Sequence, residues 1–214
     1  MRRVLRLLRY VRLIRAFMVH SVEELHDLCR KRRFVFVLGF YLPVNDLLLE
    51  YQDYFIHQYT LDPHLLEGNP MVQKMKEWKA QGVSVIGMHV RRGDYKNWRK
   101  GQYYYDDDTY SRFLDTTAEL LKAQGRTVRC ILCSNENVTL KTKQDYVLTG
   151  CTWYIDQYLL SQCDYIIGPP STFSLWASYM GKTMICHVQS STEEIRLESF
   201  KRYPCRFSDL RLYC

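Results

Sequence analysis

The run Val83–Val90 (VSVIGMHV) is apolar almost throughout and passes without a break into Arg91-Arg92. Only Ser84, Gly87 and His89 interrupt it. A strand lying on the surface of a sheet alternates apolar and polar residues, because successive side chains point to opposite faces. A strand apolar on both faces needs cover on both, which is the situation inside a parallel sheet flanked by helices. This segment therefore restricts the chain to a layered α/β architecture, with a charged pair at the end of an internal strand.

The rest of the chain agrees with that restriction. Val128–Cys133, Trp153–Ile155, Tyr165–Ile167 and Thr183–Val188 read as further strands. Between them, Asp107 or Asp108 caps a long helix ending at Gln124-Gly125, and Gln157–Cys163 and Thr172–Met180 form short helices, the last closed by Gly181. On the N-terminal side, Ser21 reads as the cap of a helix to about Cys29, Phe34–Leu38 is β-like, Asn45–Tyr59 is helical, and Met71–Ala80 is a short helix closed by Gly82. Strands alternating with helices imply a parallel sheet with helical crossovers. A change of texture near residue 80 divides an N-terminal region, 1–80, from a Rossmann-like region, 81–214.

Composition limits the functional classes. Apolar residues make up 47% of the 214, which excludes a disordered chain. The net charge of +7 is concentrated in Arg2, Arg3, Arg6, Arg9, Arg12 and Arg15, and it favours partners that carry phosphates. Leu5, Leu8, Val11, Ile14 and Phe17 fall at near-helical spacing beside those arginines. Residues 2–17 thus read equally as a peripheral contact with an anionic membrane or as a surface helix with a solvated face. No apolar run reaches spanning length, and arginines interrupt every stretch able to act as a signal h-region. The expectation is a cytoplasmic protein, peripheral at most to the membrane, with its eight cysteines reduced. Cys130 and Cys133 match C-x-x-C, but positions three apart on a strand face opposite ways and cannot share one metal ion.

Two constellations carry chemistry. The first is His89-Val90-Arg91-Arg92-Gly93-Asp94-Tyr95, at the carboxyl end of the buried strand, where parallel sheets bind ligands. Guanidinium groups hold phosphate oxygens through several hydrogen bonds at once. The simpler reading is an ion-pair cluster between Arg91 or Arg92 and Asp94. The second constellation runs from Asp156 to Ser174 and includes Gly168-Pro169-Pro170-Ser171-Thr172, a strand end, a proline turn and a helix start. Free N–H groups and hydroxyls at such a start bind anions, although Ser and Thr also cap helices everywhere. Asp106-Asp107-Asp108 has the look of a D-x-D metal motif, but its place before a helix favours capping.

The string Ile86–Tyr95 resembles the H-x-R-R-G-D signature of α-1,2-fucosyltransferases, and Tyr158–Gly181 resembles that family's second signature nearly position for position. Gly101–Tyr105 and Cys133-Ser134-Asn135-Glu136 are also similar to bacterial members, so the likeness covers about residues 83–190. It implies a two-domain GT-B-like fold with a Rossmann-like donor domain and inverting, metal-independent transfer of L-fucose from GDP-fucose to a glycan acceptor, with no cofactor and no nucleic acid partner. By matching motif positions, Arg92 grips the pyrophosphate with Arg91 beside it. His89 and Asp156 lie near the guanosine, and Ser171 and Thr172 near the phosphates. Asp94 is the acid nearest to the motif and so the candidate general base, although an arginine-paired carboxylate is a weak base. The family's Gly-rich G-x-G-N-Q segment has no match before residue 80, which implies a reduced acceptor-side region. A GDP-sugar-binding remnant without catalysis is therefore the alternative expectation.

Overall fold

The computed structural model describes residues 22–33, 35 and 45–202. The cationic segment 2–17, the cap at Ser21 and, apart from Val35, the β-like segment 34–38 lie outside the described residues.

Six strands form one sheet: β1 (Ser84–Val90), β2 (Val128–Ser134), β3 (Tyr146–Leu148), β4 (Tyr165–Gly168), β5 (Met184–His187) and β6 (Lys201–Arg202). Their order is β3-β2-β1-β4-β5-β6; β1 to β5 are parallel, and β6 closes the edge antiparallel to β5. This is the doubly wound order, in which the chain moves outward in one direction from β1 and then returns to start again at β4. The two central strands are thus the apolar β1 and the strand that leads to Ser171.

Seven helices are described: α1 (Val22–Lys31), α2 (Asn45–Glu50), α3 (Gln52–Tyr59), α4 (Pro70–Ala80), α5 (Asp107–Lys122), α6 (Trp153–Ser161) and α7 (Thr172–Gly181). α5 covers one face of the sheet with Tyr110, Phe113, Leu114, Ala118 and Leu121, packed on Ile86, Met88 and Val90 of β1. The other face holds Val85, Ile131 and Ile166 against Met75 and Trp78 of α4, Leu159 and Leu160 of α6, and Ala177 of α7. The double cover inferred from β1 is therefore present. Cys130 belongs to the first cluster and Cys133 to the second, so the two thiols are on opposite faces. Burial raises both thiol pKa values, as it does for any weak acid whose anion loses water.

Several segments differ from expectation. Trp153–Ile155, expected as a strand, is the first turn of α6. Ile155, Leu159 and Leu160 all reach the core from one helix, a spacing that a three-residue window cannot show. Asn45–Tyr59 breaks into α2 and α3 at Tyr51. β3 and β6 carry too few residues to leave a period. The cap of α5 is Asp106, whose side chain accepts from the Thr109 N–H at 2.8 Å, and not Asp107 or Asp108. α4 docks on the same sheet as everything after residue 80. α3 and α2 reach α7, where the Tyr179 hydroxyl donates to the Leu48 carbonyl at 2.8 Å and Gln52 Nε2 donates to the Tyr179 carbonyl at 2.9 Å.

Candidate functional site at the carboxyl end of the sheet

Where winding reverses, the connections leaving β1 and β4 run to opposite faces, the place where sheets of this kind bind ligands. One wall is Arg91-Arg92-Gly93, leaving β1; the other is Pro169-Pro170-Ser171, leaving β4. The two strand ends come close because residue 168 is glycine: a Cβ there would lie 2.3 Å from the His89 carbonyl oxygen. Both sequence constellations therefore meet at the switch point.

On the β1 side the two arginines have different partners. Arg91 Nη2 is 2.9 Å from Asp94 Oδ1, and the guanidinium sits over the Tyr95 ring at 5.6 Å. Arg92 pairs through Nη2 with the carboxylate of Asp107, in the first turn of α5. Its backbone N–H donates to Asn135 Oδ1, beyond β2, at 3.3 Å. The Arg92 side chain is only 14% exposed, and its Nε is buried with no hydrogen-bond partner. The simpler ion-pair reading thus holds for Arg91 and Asp94, and the Arg92 pair is one the sequence did not suggest. Asp107 was hidden in an aspartate run read as a cap. Its signal in the sequence is that one cap needs only one aspartate.

On the β4 side Ser171 caps α7: its Oγ accepts from the Phe173 N–H at 3.2 Å, and the residue is buried. Thr172 follows it, exposed on the first helical turn. Ser174 donates to the Ser171 carbonyl at 3.2 Å and lies 3.0 Å from His187 Nε2. The His89 ring packs on Phe173 with centroids 5.2 Å apart, so β1 and α7 touch directly behind the switch point.

His89 is buried, and its Nδ1 has no partner. Loss of water, with smaller contributions from the charge of Arg91 and from His187, pushes its pKa down to about 3; burial does the same to His187. Both imidazoles are neutral at pH 7. Asp156 stands in the first turn of α6, on a helix and not after a strand, and is 9% exposed. Its carbonyl accepts from the Cys133 thiol at 3.9 Å, which places it by the end of β2. Burial raises its carboxyl pKa against weaker lowering by Thr149 and Cys151, and Oδ1 is unpartnered. Asp94, 63% exposed, faces Arg91 and not Arg92.

The segment between β1 and α5 ties the rim together through tyrosine hydroxyls. Tyr95 donates to the Pro170 carbonyl, Tyr103 to Gln189 Oε1 at 3.2 Å, and Tyr105 to the Val188 carbonyl at 2.9 Å. Trp98 stacks between Tyr95 and Tyr103 at 4.8 and 5.3 Å. The segment is thus a braced strap over the ends of β4 and β5.

Among the described residues, the buried side-chain N and O atoms without a partner are His89 Nδ1, Arg92 Nε and Asp156 Oδ1. Such atoms are rare in folded proteins, and each calls for an explanation such as water or a ligand. All three belong to residues singled out from the sequence, and all lie along the carboxyl ends of β1 and β2. Among the described residues no set of three or more His, Cys, Asp or Glu side chains is arranged to hold a metal ion, and no helix is long and apolar enough to cross a membrane.

No curated protein matches the chain. Residues 38–199, however, match the family description "Glycosyl transferase family 11". The match starts well before residue 83, so α2, α3 and α4 are part of the family's pattern along with the two signatures. The arginine pair at the switch point and a family match over most of the chain lead to one conclusion: the chain belongs to glycosyl transferase family 11, whose chemistry moves a sugar from a nucleotide donor to a glycan acceptor.

Proposed function

We propose that the protein transfers L-fucose from GDP-fucose to a glycan hydroxyl, with inversion and without a metal ion, as an α-1,2-fucosyltransferase of GT-B type. The observation that carries this reading is the set of buried, unpartnered polar atoms on His89, Arg92 and Asp156 along the carboxyl ends of β1 and β2. A nucleoside diphosphate offers acceptor oxygens for the arginine and a polar base edge for the aspartate and the neutral imidazole. Residues 81–214 would serve as the donor domain and 1–80 as a reduced acceptor-side region.

In this reading Arg92, Arg91 and the α7 N-terminus at Ser171 and Thr172 hold the diphosphate. As the sugar–phosphate bond breaks, negative charge grows on the leaving GDP. Preorganised cations and N–H groups stabilise that charge more in the transition state than in the ground state, which is the requirement for catalysis. Asp94 is the candidate base for the acceptor hydroxyl, and its ion pair with Arg91 must loosen before it takes a proton. Residues 2–17 would bring the enzyme to lipid-linked or surface glycans at the cytoplasmic face of the membrane.

Calorimetric titration of the chain with GDP and with GDP-fucose, beside Arg92→Ala, tests the reading. Binding by the wild type and roughly hundredfold weaker binding by the variant are expected. A folded wild type that binds neither nucleotide overturns it. Binding without turnover on any glycan acceptor would instead favour a non-catalytic sugar-nucleotide-binding protein.

A further inference from the structure

We infer that Asp107 is the positioning residue that holds the Arg92 guanidinium in place for a diphosphate, an inference that rests on the donor-site reading above. Its carboxylate pairs with Arg92 Nη2 across two elements, the exit of β1 and the first turn of α5. The helix does not need Asp107 for its cap: Asp106 accepts from the Thr109 N–H, and the Thr109 bonds hold its pKa below the usual carboxylate range. The carboxylate of Asp107 is therefore free for the arginine. The helix that carries it is a rigid support, since Tyr110, Phe113 and Leu114 are fully buried against the sheet and the Tyr110 hydroxyl donates to the Arg91 carbonyl at 3.4 Å. The Asn135 side chain fixes the Arg92 backbone from the other side.

The pair engages Nη2 and leaves Nε buried without a protein partner. A guanidinium carries five N–H donors in a rigid plane, so anchoring one nitrogen orients the remaining donors. The sign of the electrostatics makes the inference testable. A carboxylate beside a phosphate site repels the ligand, so Coulomb energy alone predicts that neutralising Asp107 tightens binding. Positioning predicts the reverse, because a long, flexible cation without its partner must be ordered again by the ligand.

The experiment is calorimetric titration of GDP into wild type, D107N, D107E, R92A and the R92A/D107N double variant, with thermal melting of each. D107N is expected to bind GDP roughly tenfold more weakly, the scale on which outer partners that orient a binding group act. D107E should recover most of that loss. In the R92A background D107N should cost nothing further, a coupling that a purely structural role in α5 would not show. Equal or tighter binding by D107N, or an undiminished loss in the R92A background, overturns the positioning role while leaving the donor site standing. Failure of wild type to bind GDP, or no loss in R92A, overturns the donor site and this inference with it.

Discussion

The two ends of the sheet are built on opposite terms. At the amino ends of the strands, polar side chains find backbone and charged partners: Asp164 Oδ2 accepts from the Val85 N–H at 2.8 Å while Oδ1 pairs with Lys79 at 3.1 Å. There Thr183 donates to the Ser161 and Cys163 carbonyls, and Ser178 donates to the Thr183 carbonyl. At the carboxyl ends, His89, Arg92 and Asp156 each keep a buried atom without a partner. An unsatisfied buried polar group costs about 1–3 kcal/mol, so the carboxyl end spends stability that the amino end conserves. That difference is expected of one rim that serves the fold and another that awaits a ligand.

The largest separation between the rims should come from Gly181→Ala. A Cβ at this amino-end position would lie 1.8 Å from the Ser161 carbonyl, inside contact distance of rigid backbone. A loss of about 3 kcal/mol in urea unfolding is expected from such overpacking, with GDP affinity of the folded protein unchanged. Arg92→Ala should act the other way round. On the donor-site reading, removing this nearly buried guanidinium costs about 3 kcal/mol of binding, roughly a hundredfold in GDP affinity by calorimetry, with little change in unfolding. If both variants moved stability and binding together, the contrast between the two ends would collapse.

Asp164→Asn refines the comparison at about 1–2 kcal/mol of folding stability, since one charge-assisted partner of the Val85 N–H is weakened; nucleotide binding should not move. The smallest effect belongs to Asp156→Asn. Its folded-state pKa is raised by burial, so the wild type loses stability as pH rises from about 4 through that raised value. The amide cannot ionise, so the variant should melt about 2 °C higher at pH 7 and lose this pH dependence. It should also bind GDP more weakly. His89 and His187 work in the opposite window: with folded pKa values near 3 against 6.5 when unfolded, their contribution is complete above 6.5 and is lost as pH falls toward 3. Melting curves taken from pH 3 to 8 should therefore show acid instability that Asp156→Asn does not relieve.

Much of this is legible in the sequence. The apolar β1 and the long α5 follow from period and end signals that act over a few residues, whereas α7, expected to close at Gly181, keeps that glycine in its last turn and takes Lys182 as its left-handed cap. The arginine pair and the Ser171 turn stand out for the same reason: their chemistry is local to a strand end or a helix start. The tertiary structure decided what depends on separate segments meeting. The order β3-β2-β1-β4-β5-β6 sets the arginine wall beside the Ser171 wall, and no local pattern encodes which strands become neighbours. The choice of Asp94 for Arg91 and Asp107 for Arg92 was equally open, because four aspartates lie within sixteen residues of Arg92 and only the docking of α5 selects between them. Asp156 became a buried carboxylate with one unpartnered oxygen because α6 begins one turn earlier than its period suggested. Residue types specify the chemistry available at a rim, whereas packing across the sheet determines which groups are left without a partner and so free for a ligand.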